Sequence, residues 1–104
     1  MKRTRKLPDD RKSEILQAAV DLCVDEGYGA VTRDRVAERA GASNGLVTHY
    51  YNTMPQLRRA LMRHAIEHDI YAVIAQGIMH GDKHVAKISD EQRTQARNYI
   101  ASSL

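Results

Sequence analysis

The sequence is divided by glycines that end helices, each followed within a few residues by a hydroxyl side chain that starts the next helix. Gly27 precedes Thr32, and Gly41 precedes Ser43. Glycine ends helices because it adopts the left-handed backbone conformation at little cost, whereas Ser and Thr accept hydrogen bonds from the free N–H groups of a first turn. The pattern predicts helices from Pro8 to Gly27, from Thr32 to about Ala40, and from Ser43 to Tyr50 or Tyr51.

Two further start signals lie in the second half. Residues 53–56 and 89–92 each place Gln three positions after Thr or Ser, which is the capping-box pattern. Apolar residues from Leu57 to Ile78 recur at a spacing of three or four, which predicts one long fourth helix of about 35 Å. Residues 80–88 are predicted to be a linker before a short C-terminal helix. Because no strand pattern appears, the predicted fold class is all-α.

The positive charge is concentrated at one end of the chain. The 104 residues, enough for one domain, carry a net charge of +3. Residues 1–12 contribute +4, and residues 13–64 are balanced. A basic segment beside a neutral body suits a polyanionic partner. A solvated tail that only aids solubility explains the same charge, and composition alone does not separate the two.

Other features restrict the location of the protein. A single cysteine, Cys23, excludes a disulfide within the chain and fits a reducing compartment. No apolar run approaches the ~20 residues that cross a bilayer. The basic N-terminus is not followed by an apolar stretch, so it is not a secretory signal. We therefore predict a cytoplasmic protein without a membrane partner.

The histidines give a weak metal signal. His64, Glu67 and His68 match the His-x-x-Glu-His pattern of some zinc proteases. The sequence places no third ligand beside them, and so short a pattern arises easily in a chain with five histidines. Partly exposed or interface positions on a helix explain these residues equally. We predict no enzyme, no metal site and no cofactor.

The spacing of residues 32–51 is that of a helix–turn–helix. Around it, a longer set of residues resembles the DNA-binding domain of the TetR family of transcriptional repressors. The set includes Ile15-Leu16, Ala18-Ala19, Leu22, Glu26-Gly27-Tyr28, Thr32, Val36-Ala37, Ala40-Gly41-Ala42-Ser43, Gly45, Tyr50-Tyr51 and Leu57. It runs without gaps over about residues 11–60, so it is far more specific than any single motif.

The resemblance implies a domain organisation. Residues 1–8 are predicted to be a basic arm, and residues 9–53 a three-helix DNA-binding domain. Residues 54–104 are predicted to hold the long fourth helix and one C-terminal helix, which serve dimerisation. The resemblance further implies a homodimer that binds a palindromic, double-stranded DNA operator and represses transcription.

The predicted DNA contacts lie mainly on the third helix. Ser43 would cap it and leave N–H groups aimed at the duplex, and Asn44 in its first turn suits an adenine edge. Gly45 permits close approach of the backbone, and Leu46 suits a thymine methyl group. Thr48, His49 and Tyr50 follow on the same helix. The resemblance implies that Thr32 and Arg33 contact phosphates.

The chain departs from the family where phosphate contacts are usual. Thr48 and Met54 stand where the family usually has Tyr and Lys, and residues 43–50 contain no Lys or Arg. Because basic groups supply most non-specific affinity for DNA, we expect the N-terminal arm to replace those contacts. Its cationic residues are Lys2, Arg3, Arg5 and Lys6. Arg11, Lys12 and Arg58 are further candidates.

Three alternatives stay open at this point. About 25 residues follow Ile78, too few by themselves to enclose an effector pocket of several hundred Å³, so a small-molecule effector is not expected at this length. The chain is then either a short, constitutive DNA-binding protein or the N-terminal part of a longer ligand-sensing regulator. A helical protein-interaction module that no longer recognises DNA is the third possibility.

Overall fold

The computed structural model describes residues 8–103, and these residues form an all-α fold, as predicted. Its two 3-10 turns are Tyr28–Ala30 and Lys83–Lys87. Among the described residues, no helix is long and apolar enough to cross a membrane. The six α-helices are α1 (Pro8–Glu26), α2 (Arg33–Ala40), α3 (Asn44–Tyr50), α4 (Met54–Glu67), α5 (Tyr71–Met79) and α6 (Asp90–Ser102).

Helix α1 supplies the centre of the core. Ile15, Ala19, Leu22 and Cys23 recur on one face of the helix, and each is at most 1% exposed. α2, α4 and α5 all pack against α1, while α3 packs against α2. Burial raises the pKa of the Cys23 thiol to about 11, so this side chain is a neutral, small apolar group of the core.

The predicted long fourth helix is wrong, because it is divided into α4 and α5. Asp69 lies between them with φ 55°, the left-handed region, which Asp adopts more readily than most residues. The Gln92 side chain of α6 donates hydrogen bonds to the Ile66 carbonyl (2.7 Å) and to Asp69 Oδ1 (2.9 Å). The helix therefore ends where another helix satisfies its terminal carbonyl group.

The predicted linker at residues 80–88 is also more ordered than expected. The Asp82 carboxylate accepts the His84 N–H at 2.8 Å and so caps the 3-10 turn that follows. Val85 and Ile88 are 6% and 8% exposed, because both pack into the core. This segment therefore covers the core as well as connecting α5 to α6.

One of the two predicted capping boxes is complete. At α6, Ser89 Oγ accepts the Gln92 N–H (3.1 Å), and Gln92 Oε1 accepts the Ser89 N–H (3.4 Å). At α4, Thr53 accepts the Gln56 N–H, but Gln56 Oε1 accepts the N–H of Asn52 at 2.9 Å rather than that of Thr53. Both helices nonetheless begin where the capping residues predicted.

Gly77 is a sensitive point of the packing. A Cβ atom at Gly77 would lie 2.5 Å from Met62 Cε and 3.0 Å from Val85 Cγ1, whereas one at Gly29 would meet nothing within 4 Å. Overpacking costs about 1–3 kcal/mol, and alanine returns about 1 kcal/mol of helix propensity. We expect Gly77→Ala to lower the free energy of unfolding in urea by up to about 2 kcal/mol. Gly29→Ala is the control and should change it by less than about 0.5 kcal/mol. Equal stability of both variants would contradict this packing.

Candidate nucleic-acid interface

The turn between α2 and α3 is fixed by backbone and side-chain caps at the predicted residues. Thr32 Oγ1 accepts the Arg35 N–H (3.3 Å), and Gly41 ends α2 in the left-handed conformation with φ 67°. Ser43 Oγ then accepts the Leu46 N–H at 3.0 Å. The cap hydrogen bonds therefore set both the end of α2 and the start of α3.

Helix α3 buries one face in the core and leaves residues of the other face exposed to solvent. Val47 is fully buried, and Tyr51 is 6% exposed at the helix end, where Phe is usual in the family that the sequence resembles. The predicted contact residues fall into two groups. Thr32, Ser43, Asn44, Gly45 and His49 are exposed, whereas Arg33, Leu46, Thr48 and Tyr50 are partly buried.

The partly buried aromatic residue Tyr50 lies beside a titratable neighbour. The His49 and Tyr50 rings meet edge to face, with their centroids 4.9 Å apart. Lys12 of α1 approaches the same end of α3, with its ammonium 5.5 Å from the centroid of the Tyr51 ring. A cation from α1 therefore lies at the end of a helix that has no Lys or Arg of its own.

Asn44 makes a contact that was not predicted. Its amide Nδ2 donates to Asp34 Oδ1 of α2 at 2.5 Å, and both residues are exposed. An ionised carboxylate only accepts hydrogen bonds, so the amide NH₂ must face Asp34. This arrangement fixes the amide orientation and leaves Oδ1 and the second N–H of Asn44 available to a ligand. Asp34 was missed because only the fold brings it beside Asn44.

The Arg33 side chain is held by the protein, which constrains how it can contact a DNA phosphate. Its guanidinium donates from Nη2 to the Asn52 carbonyl at 3.3 Å, which ties the start of α2 to the loop between α3 and α4. Its Nε is buried without a hydrogen-bond partner among the described residues. The side chain therefore brings a positive charge to the α3–α4 loop in a fixed position.

The other arginines of α2 are paired with carboxylates near the end of α1. Arg35 contacts Glu26 at 2.5 Å, and Arg39 forms an ion pair with Asp25. These exposed pairs lower the positive charge that α2 offers to a polyanion. The four cations of the predicted arm, Lys2, Arg3, Arg5 and Lys6, lie outside the described residues.

Comparison with known proteins identifies this arrangement. The family model described as bacterial regulatory proteins, tetR family, matches residues 15–61, which run from α1 into α4. This segment belongs to the TetR family. TetR-family transcription regulators are non-enzymatic DNA-binding proteins, which agrees with the prediction for this segment.

Curated relatives agree with the TetR assignment. The HTH-type transcriptional regulator BetI of Burkholderia thailandensis is 30% identical over 93 residues, which cover 89% of this chain and 44% of BetI. The HTH-type transcriptional activator FasR of Mycolicibacterium smegmatis is 30% identical over 73 residues, 69% of this chain and 33% of FasR. BetI of Pectobacterium carotovorum is 33% identical over 58 residues, 56% of this chain and 30% of that protein. No solved structure matches the chain.

The chain therefore spans less than half the length of these curated relatives. All three relatives are named as HTH-type transcriptional regulators or activators. The family assignment consequently covers the surface formed by α2 and α3 more directly than it covers α5 and α6.

The Ser43 cap allows a test of how α3 is built. Replacing Ser43 by Ala removes the acceptor of the Leu46 N–H, which typically costs about 1 kcal/mol. Ser43→Thr keeps a hydroxyl and should cost only a few tenths of a kcal/mol. Urea unfolding followed by circular dichroism measures both values. If Ser43→Ala were as stable as the wild type, the cap would not determine the start of α3.

Proposed function

We propose that this protein is a transcriptional regulator that binds DNA sequence-specifically by laying α3 in the major groove. The observation that carries the proposal is the capped α3, anchored by buried Val47 while Asn44, Gly45 and His49 stay exposed, within a segment of the TetR family. A helix of this kind, braced by a preceding helix, is how a helix–turn–helix contacts base edges.

The finer proposal is a homodimer on a palindromic operator, acting in the cytoplasm as a repressor. Two-fold symmetry would place the two α3 helices about 34–36 Å apart, one turn of DNA. A repressor acts by occupying the operator and excluding polymerase. Because FasR, one of the relatives, is named an activator, the direction of regulation is a separate question. A promoter–reporter assay answers it, since repression requires reporter output to rise when the protein is deleted.

Selection of bound DNA from a random pool tests the function as a whole. Specific binding should yield one enriched motif, and a dimer should yield it as two inverted half-sites about one helical turn apart. A protein-interaction module would enrich no sequence. Sedimentation of the free protein then gives the mass, and a strict monomer at micromolar concentration would contradict the homodimer.

Asn44 is proposed to contact adenine, with Asp34 as its positioning residue. Adenine presents an N6 donor and an N7 acceptor in the major groove, which match the Oδ1 and the second N–H that Asp34 leaves available. The carboxylate also repels nearby phosphates. Asp34 therefore favours the correct base while lowering general affinity for DNA.

Three variants separate these two effects of Asp34. Asn44→Ala should lower discrimination at one base pair of each half-site by about 1–3 kcal/mol. Asp34→Ala should relax the same base pair while raising affinity for random DNA. Asp34→Asn removes the charge but keeps an oxygen that accepts from Asn44, so it should restore the base preference. Enriched motifs from pool selection show the outcome, and an unchanged motif for Asp34→Ala would reject the positioning role.

The basic arm is proposed to supply phosphate contacts that α3 lacks. Deleting residues 2–6 removes four cations. The slope of log affinity against log salt should therefore become shallower by about one for each cation that contacts a phosphate. The measurement is a salt titration of operator binding by fluorescence anisotropy. An equal slope and affinity for the deleted and intact proteins would leave the arm as a solvated tail.

A further inference from the structure

One cavity of the fold is lined by none of the predicted contact residues of α2 and α3. It has a volume of about 470 Å³ and is formed by three separate parts of the chain. Tyr28 comes from the connection between α1 and α2, and four residues come from the first half of α4. The remaining wall is formed by residues 80–84, which run from the end of α5 into the 3-10 turn at Lys83–Lys87.

The cavity is lined by three basic side chains. Arg58 and Arg59 come from α4, and Lys83 comes from the 3-10 turn. None of the three forms an ion pair with any residue between 10 and 103. Arg58 Nε is also buried without a hydrogen-bond partner in that part of the chain. A buried donor without a partner is unfavourable, so an acceptor that reaches this N–H group would be stabilised.

The one carboxylate of the cavity wall is already engaged. Asp82 Oδ2 accepts the Tyr28 hydroxyl at 2.6 Å, and Asp82 Oδ1 accepts the backbone N–H and meets ring Nδ1 of His84, both at 2.8 Å. Its side chain is only 5% exposed. Burial alone would raise the pKa of Asp82, but these hydrogen bonds outweigh burial and lower it. Asp82 therefore stays ionised, and it forms no ion pair with Arg58, Arg59 or Lys83.

The Tyr28 side of the cavity is rigid. The Tyr28 N–H donates to Gln76 Oε1 at 3.1 Å, and the Tyr28 ring stacks on His80 with 4.7 Å between the ring centroids. Burial and the hydrogen bond to Asp82 raise the pKa of Tyr28 to about 12, so its hydroxyl remains a donor to that carboxylate. The stacked Tyr28 and His80 rings line the same cavity as the charged side chains of α4.

We infer that this cavity binds a small molecule through a phosphate group, held by Arg58, Arg59 and Lys83. Guanidinium groups match the geometry of phosphate oxygens with paired N–H donors, and an ammonium adds a further charge-assisted hydrogen bond. The volume exceeds that of a phosphate ion, so an organic part fits beside the Tyr28 and His80 rings. The inference goes beyond DNA binding and does not depend on it.

Titration with inorganic phosphate tests the site in the intact protein without DNA. ¹H–¹⁵N spectra follow the backbone amides of residues 80–84 and the Nε–H signals of Arg58 and Arg59. The ionic strength is held constant, and chloride is the control anion. Phosphate should shift these signals saturably, and chloride should not. Absence of saturation, or equal shifts with chloride, would overturn the inference.

Matched variants locate the site. Arg58→Gln and Lys83→Gln should each raise the phosphate dissociation constant at least fivefold. Arg63→Gln removes an exposed cation of α4 that does not line the cavity, so it should leave the constant unchanged. Lys83 is exposed, which keeps the test valid if Arg58→Gln fails to fold. Equal weakening by all three variants would indicate general electrostatics and reject the site.

A DNA-binding measurement distinguishes a free phosphate ligand from the phosphates of the DNA backbone. If Arg58→Gln weakens DNA binding and makes its salt dependence shallower by about one, while free phosphate gives no saturable shifts, these cations serve the duplex and the inference fails. Saturable phosphate binding by the free protein supports the inference, whether or not the protein also binds DNA.

Discussion

The buried face of α1 is the constraint on which the other helices depend. Ile15, Ala19, Leu22 and Cys23 are almost completely enclosed, and α2, α4 and α5 each cover part of this face. Helix α3 is too short to be stable alone, and it keeps its position because it packs on α2, which packs on α1. The orientation of the exposed end of α3 is therefore set by apolar burial at a distance from it.

Local signals predicted the helices well where the ends are made by local hydrogen bonds. The caps Thr32, Ser43 and Ser89 and the glycine Gly41 act within a few residues of their partners, so the sequence contains the whole interaction. The break between α4 and α5 is different. The apolar spacing continues across it, and the local bond from the Ile70 N–H to the Ala65 carbonyl (2.9 Å) is joined by two hydrogen bonds from Gln92 of α6. The apolar periodicity of the sequence gives no sign of a hydrogen bond from so distant a residue.

The candidate sites also differ in whether their contacts are local in the sequence or made only by the fold. The residues of α3 were predictable as a surface, because their spacing follows one helix, although what they bind remains a proposal. Asp34 was not predictable, since only folding brings it to Asn44. The cavity of Arg58, Arg59 and Lys83 was missed for the same reason. The residues after Ile78 are too few to enclose a pocket by themselves, but much of this wall comes from Tyr28 and α4.

The hydrogen bonds of Tyr28 affect where the chain can be divided. The family segment ends at residue 61, but Tyr28 within it is bonded to Gln76 and Asp82 beyond that end. Val73 and Ile74 are fully buried in the core that also contains α1. The inherited sequence module is therefore smaller than the cooperative folding unit. A chain cut at the edge of the module would lose part of its core and the partners of Tyr28, so a transplanted recognition unit must include α5 and the segment after it.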